Sequence, residues 1–337
     1  MIKHMILQAD EYHSRKLKYA HLEKVAASAL QQCGVFDSKL TFISDTCNVI
    51  FRSDTASHSY CVRVCQDSLR STPEIYGEIY WLQNLRQNTD LIVPEPIKSS
   101  SGDAVHEISV LDGNDKFRVV IFQWIPGNII GSNLDAKKAQ QLGGLMAKLH
   151  THAETFALPK GSFRDEKDWQ GMGHLRANLG ALETSRIESF LDKDQLILCD
   201  EVAKRAALAI SEINIQYDFG LIHSDLHANN CLTSDGNIGI IDFDDCQFSP
   251  FSCDIAITIS SFDEFSNQEA LRRAFLHGYS ENRELPKNHV TEVESFAMER
   301  RLRLLRWIST WENVDYFPFG RQMIDNCLLH FRKYIEF

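Results

Sequence analysis

The sequence predicts an α+β protein of two lobes, the first rich in β-strands and the second mainly helical. The chain has 337 residues, which is more than a single hydrophobic core usually holds. Strand-like apolar runs dominate the first third of the chain, and apolar residues recur at helical spacing after residue 124. We therefore expect an amino-terminal lobe over residues 1–123 and a carboxy-terminal lobe over residues 124–337.

The first lobe is predicted to contain a small antiparallel sheet. Its short apolar runs are separated by loops rich in Ser, Asp and Thr. Pro73 favours the first turn of a helix, where its missing N–H would be unpaired in any case. The run Trp124-Ile125-Pro126-Gly127 ends this region, because proline and glycine do not continue a strand. The predicted elements are a helix over residues 15–33, strands over residues 40–43, 49–52, 59–64 and 117–122, and a helix that begins at Pro73.

The second lobe is predicted to be helical with one interruption. Apolar residues at helical spacing indicate helices over residues 136–153, 194–213 and 289–311. Between the last two, the pair Asp235-Gly236 separates two apolar runs, which is typical of a β-hairpin turn. Polar residues at both ends of such a short buried hairpin indicate a functional site.

Composition and charge disfavour several classes of function. The net charge is -11 and the pI is about 5.6, whereas sequence-independent nucleic-acid binding requires clustered Lys and Arg. We expect no nucleic-acid partner. No apolar run approaches the length of a membrane span, and no signal peptide is evident at the amino terminus, so we expect no membrane partner. The nine cysteines have irregular spacing, which indicates reduced thiols in a cytoplasmic protein.

The polar residues around the hairpin suit phosphoryl transfer. That reaction requires a carboxylate that orients the attacking hydroxyl and accepts its proton, a metal ion, and positive charge near the phosphates. Asp225 and Asn230 lie five residues apart, with His223 two residues before the aspartate, and Asp242 ends the second strand. Asp225 is the candidate catalytic residue, and His223 is grouped with it as a residue that braces the loop. The oxygens of Asn230 and Asp242 suit Mg²⁺.

Three motifs in order carry a resemblance to a known family. The segment from His223 to Asn230 resembles the His-Gly-Asp-Leu-His-x-x-Asn loop of the aminoglycoside phosphotransferase and choline kinase superfamily. Ile241-Asp242-Phe243 is similar to the Ile-Asp-Phe metal motif of that superfamily, and Asp254-Ile255-Ala256 to the Asp-x-Ala that braces its catalytic loop. Lys148-Leu149-His150 and the run at 124–127 also resemble its motifs. Homoserine kinase type II and bacterial stress-response kinases are similar subgroups.

The resemblance implies a protein-kinase-like fold with ATP and Mg²⁺ as cofactors and a small-molecule hydroxyl acceptor. The first lobe would then bind the nucleotide, and the second would carry catalysis and the acceptor. Arg63 on the third strand would contact phosphate, with Glu78 as its partner and Glu74 as second choice. Asn48 corresponds to the asparagine of the phosphate-covering turn. Backbone groups at the hinge would contact adenine, and the candidates are Gln123, Trp124 and Ile125.

Two other chemistries remain open at the same residues. His223, Asp225 and His227 alternate as in a zinc triad, although no further ligand at recognisable spacing accompanies them. The segment from Asp242 to Asp244 has the Asp-x-Asp pattern of nucleotide-sugar transferases, but that interpretation leaves Asp225 and Asn230 without a role. Asp244 and Asp245 are candidates for second metal ligands, substrate contacts or a surface loop.

Three functions are consistent with the chain. The first is a small-molecule kinase that acts on an amino alcohol, an aminoglycoside or a hydroxylated amino acid. The second is a protein Ser/Thr kinase of the bacterial stress-response type, although residues 242–254 are short for an activation segment. The third is a non-catalytic nucleotide-binding module, because the loop over residues 44–48 lacks glycine and Arg63 replaces the usual lysine.

The last predicted helix contains candidate contacts for the acceptor. We expect Leu302, Leu305 and Trp307 on its buried face and most of its arginines in solvent. One arginine is a candidate contact for an acidic group of the substrate. Trp307 is also a candidate acceptor contact, together with Trp311 and Glu312. The arginines are Arg300, Arg301, Arg303 and Arg306.

Overall fold

A computed structural model describes residues 19–45, 48–65, 70–109, 116–160, 170, 173–176, 179–310 and 320–336. The chain divides into two compact units. The first contains Met1–Asn128, Ala157–Arg164 and Leu232–Asp244, and the second contains Ile129–Phe156, Asp165–Cys231 and Asp245–Phe337. The predicted lobe boundary at residue 123 stays a prediction.

The first unit is organised around a five-stranded antiparallel sheet in the order β1-β2-β3-β5-β4. Its strands are β1 (Lys39–Asp45), β2 (Val49–Asp54), β3 (Ser59–Cys65), β4 (Val105–Ser109) and β5 (Lys116–Gln123). Four of these strands are predicted from the sequence, and β4 is not. Only two of the five residues of β4, Val105 and Ile108, are β-branched, so its sequence does not strongly favour a strand. The strand is identified by its pairing with β5.

Two helices accompany the sheet in the described part of the first unit. Residues 19–32 form α1, which contributes Val25, Ala29 and Leu30 to the core of the sheet. Helix α2 (Thr72–Asn88) begins with a capping box, in which Ser71 and Glu74 each bond the backbone N–H of the other. Pro73 lies in the first turn, as predicted.

The predicted hairpin is present as β8 (Cys231–Ser234) and β9 (Asn237–Ile240). Asp235 and Gly236 have φ values of 50° and 82°. Positive φ at both central residues is the geometry of the turn that matches the twist of a two-residue hairpin. Gly239 of β9 forms a parallel bridge with Ile92, which attaches this strand to the rest of the first unit.

The second unit is mainly helical. The helices are α3 (Ala136–Ala153), α4 (Ala181–Phe190), α5 (Lys193–Ser211), α6 (Phe251–Ser261), α7 (Gln268–Ser280), α8 (His289–Ser309) and α9 (Gly320–Glu336). Helix α8 packs against α5 and α6, and α3 packs against α7. The short strands β7 (Phe219–Ile222) and β10 (Gln247–Pro250) pair antiparallel. The two-residue strand β6 (Asn128–Ile129) lies at the boundary between the two units along the chain.

The antiparallel amino-terminal sheet and the helical carboxy-terminal part confirm the predicted α+β class. Helix α3 has the predicted bounds, and α5 and α8 begin within one residue of their predicted starts. Among the helices that the structure describes, none combines the length and the apolar composition needed to cross a bilayer.

Helices α3 and α7 pack closely because each presents a glycine to the other. A Cβ on Gly143 would lie 1.9 Å from the carbonyl oxygen of Phe275, and one on Gly278 would lie 1.9 Å from that of Gln140. Backbone atoms of a packed helix cannot move aside to relieve such an overlap, whereas the end of a flexible side chain can. The two helix axes must therefore separate if either glycine is replaced.

We expect Gly143→Ala to destabilise the protein by about 1–3 kcal/mol, the usual cost of an overpacked core. Gly144→Ala is the matched control, because its Cβ would meet the Asn282 side chain at 3.0 Å, and that side chain can move. Urea denaturation of both variants gives the comparison. Equal stability of the two variants would contradict the close packing of α3 and α7.

Candidate functional site

Arg63 and Glu78 form a buried ion pair within the first unit. Arg63 lies on β3 and Glu78 on the buried face of α2. The Nη1 and Nη2 atoms of Arg63 donate to the two carboxylate oxygens of Glu78 over 2.9 and 2.6 Å. Two parallel bonds determine the orientation of the guanidinium plane. This is the pair that the sequence predicts, and its role in phosphate binding stays a prediction.

Asp244 adds a second carboxylate to this pair. Its Oδ1 lies 3.7 Å from Nη1 of Arg63, and its Oδ2 accepts a 2.9 Å hydrogen bond from the Asn48 side chain. Burial acts to lower the pKa of Arg63, but Glu78 and Asp244 raise that pKa well above its usual value. Arg63 is therefore charged at every accessible pH. Asp244 is buried and is not a surface residue, whereas Asp245 is exposed.

The three hinge residues differ in whether their backbone N–H is already hydrogen-bonded. The Gln123 N–H donates to the Glu95 carbonyl over 2.8 Å, and the Trp124 N–H donates to the Ser59 carbonyl over 3.0 Å. The Ile125 N–H has no acceptor among the described residues. Of the three residues expected to contact adenine, Ile125 has the N–H that is available as a donor.

Asp242 follows β9 in an uncommon backbone conformation. Its φ is 67°, and a residue other than glycine rarely adopts this left-handed region. The next residue, Phe243, is buried and packs against Trp81 with 5.3 Å between the ring centroids. The Asp242 side chain is exposed. An uncommon backbone conformation at an exposed carboxylate is typical of a functional position.

In the second unit, a buried carboxylate on α6 determines the conformation of the loop that carries Asp225. The two oxygens of Asp254 accept the backbone N–H groups of His223 and Ser224 over 3.0 and 2.9 Å. Ser224 has φ 68°, and Thr258 donates to the Leu226 carbonyl over 2.6 Å. The predicted brace by Asp254 is confirmed.

Both oxygens of the Asp225 carboxylate have partners in the second unit. Oδ1 accepts a 2.5 Å bond from Nη2 of Arg300. Oδ2 accepts from Asn230 over 3.1 Å and lies 3.3 Å from Nε2 of His227. Burial acts to raise the pKa of Asp225, but the His227 hydrogen bond and the charges of Arg300, His227 and His223 lower it to about 2. Asp225 is therefore ionised at neutral pH.

Asn230 is held so that its amide oxygen is available. Its Nδ2 donates to the carbonyl and to the carboxylate of Asp225, over 2.9 and 3.1 Å. The amide oxygen points away from these two acceptors, since it is the other end of a planar group. It accepts no hydrogen bond from any described residue. This oxygen is a suitable ligand for a hard cation.

The two histidines of the loop bond the backbone. Nδ1 of His223 accepts the Asp225 N–H over 3.2 Å, and Nδ1 of His227 accepts the Asn229 N–H over 3.2 Å. His223 is fully buried, so it positions the loop. Within the described ranges, no group of three or more His, Cys, Asp and Glu side chains has metal-binding geometry. These contacts support bracing and not zinc binding.

Two arginines of α8 do not lie free in solvent, where most arginines of this helix are expected. Arg301 is buried and bonds Asp263 and the Ala297 carbonyl. Arg300 contacts Asp225, a contact that the sequence analysis does not assign. Trp307 is 44% exposed, so its predicted place in the core is wrong, while Leu302 and Leu305 are buried as predicted. The other two acceptor candidates, Trp311 and Glu312, lie outside the described residues.

His150 extends the brace of Asp254 to a third element. Its Nε2 lies 3.3 Å from Oδ2 of Asp254, and its Nδ1 lies 2.8 Å from the hydroxyl of Tyr279. A neutral imidazole satisfies both contacts when Nε2–H donates to Asp254 and Nδ1 accepts from Tyr279. Burial lowers the pKa of His150, although Asp254 opposes that shift. The histidine is therefore neutral in the folded protein near neutral pH.

Kinase-like phosphotransferases combine an aspartate on a loop, an asparagine five residues later and a buried pair of a strand cation with a helix glutamate. This chain has each of these features in Asp225, Asn230 and the pair of Arg63 with Glu78. The chain belongs to the phosphotransferase enzyme family, whose model matches residues 40–288. Family membership confirms that the chain is a phosphotransferase of the aminoglycoside phosphotransferase superfamily.

Individual relatives are similar over most of their length. Amicoumacin kinase of Bacillus subtilis (strain 168) is 24% identical over 307 residues, which cover 87% of this chain and 86% of that protein. A microcompartment-associated aminopropanol kinase superimposes with a TM-score of 0.73 at 24% identity and covers 93% and 97% of the two chains. The amicoumacin kinase hAmiN in complex with AMP-PNP, Ca²⁺ and Ami superimposes with a TM-score of 0.75 at 20% identity and covers 96% of each chain. These structures confirm the predicted kinase-like fold.

We expect Glu78→Gln to destabilise the protein by about 3 kcal/mol, because removal of one partner leaves the buried charge of Arg63 poorly compensated. Glu74→Gln on the same helix is the matched control, since glutamine preserves a capping box. Chemical denaturation measures both free energies of unfolding. A loss below about 0.5 kcal/mol for Glu78→Gln would mean that the pair contributes little.

We expect the stability of the protein to fall as the pH drops below about 6.5, the ordinary pKa of histidine. The folded-state pKa of His150 is lowered, so the unfolded chain binds the proton first, and stability falls by up to about 1.4 kcal/mol per pH unit. His150→Gln should reduce this slope relative to the parent protein. Thermal unfolding of both proteins from pH 7.5 to 5 tests this, and an equal slope in His150→Gln and the parent protein would contradict it.

Proposed function

We propose that this protein transfers the γ-phosphoryl group of ATP to a hydroxyl of a small molecule in a Mg²⁺-dependent reaction. The observation that carries the proposal is the Asp225 carboxylate, which is ionised and held at both oxygens on a loop braced by Asp254. The named relatives support ATP and a small acceptor, since they include an amicoumacin kinase solved with AMP-PNP and an aminopropanol kinase.

Asp225 is proposed to orient the acceptor hydroxyl and to accept its proton. The hydroxyl oxygen forms a bond to the γ-phosphorus, the bond between that phosphorus and the bridging oxygen breaks, and ADP leaves. A carboxylate with a pKa of about 2 is a weak base. Its main contribution is therefore orientation of the nucleophile, with proton transfer late in the reaction.

Asn230 and Asp242 are proposed to bind Mg²⁺. The amide oxygen of Asn230 is available because the amide nitrogen is bonded to Asp225, and Asp242 presents an exposed carboxylate. Two protein oxygens suit a cation that takes its other ligands from phosphates and water. When bound, Mg²⁺ would neutralise charge on the phosphates.

Arg63 is proposed to contact the phosphates of the nucleotide. Glu78 holds its guanidinium plane, and Asn48 positions Asp244 beside it. A pre-oriented guanidinium contributes binding energy with little loss of side-chain entropy. Ile125 is proposed as the N–H donor to adenine, and the backbone carbonyls of Gln123 and Trp124 are candidate acceptors at the hinge.

We expect Asp225→Asn to lower kcat by a factor of about 100 or more, because general-base and orienting groups contribute on that order. The Kd of Mg-ATP should change little. Asp235→Asn is the matched control, since it makes the same change in the exposed hairpin turn, where asparagine is equally suitable.

Steady-state phosphoryl transfer and calorimetric binding of Mg-ATP to both variants measure these effects. Unchanged turnover in Asp225→Asn would contradict the assignment of Asp225. Loss of Mg-ATP binding with loss of turnover would instead assign Asp225 to the metal.

A further inference from the structure

The ion pair between Arg300 and Asp225 occupies an oxygen that the reaction needs. An acceptor hydroxyl must donate its hydrogen bond to one of the two Asp225 oxygens. Oδ1 is bonded to Arg300 at 2.5 Å, and Oδ2 faces Asn230 and His227 at 3.1 and 3.3 Å. An acceptor must therefore share or replace one of these three partners.

Arg300 is the most exposed of the three partners. Its side chain is 38% exposed and that of His227 is 26% exposed, whereas Asn230 is buried at 8% and bonds the backbone of the loop as well. Asp225 is the single ion-pair partner of Arg300 in the described part of the chain. Exchange of this bond needs one rotation of a flexible side chain. Displacement of Asn230 would disturb the loop itself.

The charge of the displaced group determines which acceptor suits the site. If the Arg300 guanidinium moves away from Asp225 and finds no other anion, it loses a charge-assisted hydrogen bond, which is among the stronger polar contacts in proteins. An anionic group on the acceptor replaces that bond directly. A cationic group would lie beside Arg300 and would compete with it for the same carboxylate.

We propose that the acceptor carries a carboxylate or similar anionic group next to its reactive hydroxyl, and that Arg300 binds this group and so frees Oδ1 of Asp225 for the hydroxyl. This inference rests on the proposed function and names a substrate class for the same site. Arg300 is the residue that determines this specificity.

The other charges of α8 agree with this assignment. Arg303, one turn further along the helix, lies 3.2 Å from the carboxylate of Glu299, so it has its own anion. Arg301 is bonded to Asp263 inside the protein. Arg300 is the arginine of this helix whose bond is made to the catalytic carboxylate itself.

Matched pairs of acceptors test the inference, because each pair differs by one carboxylate. Suitable pairs are L-homoserine, L-threonine and L-serine, each with the amino alcohol that its decarboxylation would give. The amino group and the hydroxyl are common to both members of a pair. We expect kcat/KM to be at least tenfold higher for the acid in one or more pairs, as a charge-assisted bond predicts.

The ratio of kcat/KM for acid and amino alcohol is the readout for the variants, because a general loss of activity cancels in it. Arg300→Gln should lower the ratio about tenfold or more, and Arg300→Lys should lower it less. Arg332→Gln, at an exposed arginine of α9, is the matched control and should leave the ratio unchanged. A ratio at or below unity in every pair, or an equal ratio in Arg300→Gln and the parent protein, overturns the inference.

Failure of the inference and failure of the proposed function give different results. Transfer to amino alcohols but to no acid overturns the inference and leaves the phosphotransferase function in place. If no acceptor of the panel is phosphorylated, the inference is also overturned. Mg²⁺-dependent ATP hydrolysis that Asp225→Asn abolishes would then support the proposed function, and its absence would overturn that as well.

Discussion

The buried carboxylate of Asp254 is the constraint on which the loop that carries Asp225 depends. It accepts hydrogen bonds from two consecutive backbone N–H groups, those of His223 and Ser224. Both N–H groups point toward the same carboxylate because the chain turns sharply at Ser224, where φ is 68°. A carboxyl group buried without these donors would be costly. The loop conformation and the buried Asp254 side chain therefore stabilise each other, and the position of Asp225 follows from both.

The two groups of candidate residues differ in charge. In the first unit, one guanidinium faces the two carboxylates of Glu78 and Asp244, so the net charge of this group is negative. In the second unit, the carboxylate of Asp225 faces the guanidinium of Arg300. The first group therefore suits a cation that is bound together with a polyanion. The second suits an acceptor that can satisfy the guanidinium of Arg300.

Helix α8 shows where helical periodicity predicts burial correctly and where it does not. Leu302 and Leu305 are buried, as helical spacing indicates, but Trp307 is largely exposed and Arg301 is buried. Helical spacing also places position 301 on this buried face, three residues after Met298 and four before Leu305. Arg301 can be buried there because Asp263 neutralises it, and no local pattern shows that Asp263 is near.

The sequence by itself determined the class of fold, the phosphotransferase family and the residues around the hairpin, because these depend on local spacing. Asp225 and Asn230 bond each other across five residues, and the Asp235-Gly236 turn is made by its own two backbone conformations. The pairing of Arg63 with Glu78 was expected from the resemblance to the kinase-like superfamily, with Glu74 as second choice, and the structure shows the pair with Glu78. Only the tertiary structure decided that Arg300 bonds Asp225, that Asp244 joins Arg63, and that Ile125 offers the available N–H. These contacts join residues far apart in the chain, or depend on which donors are already bonded, and they exist only after the core has placed each element beside its neighbour.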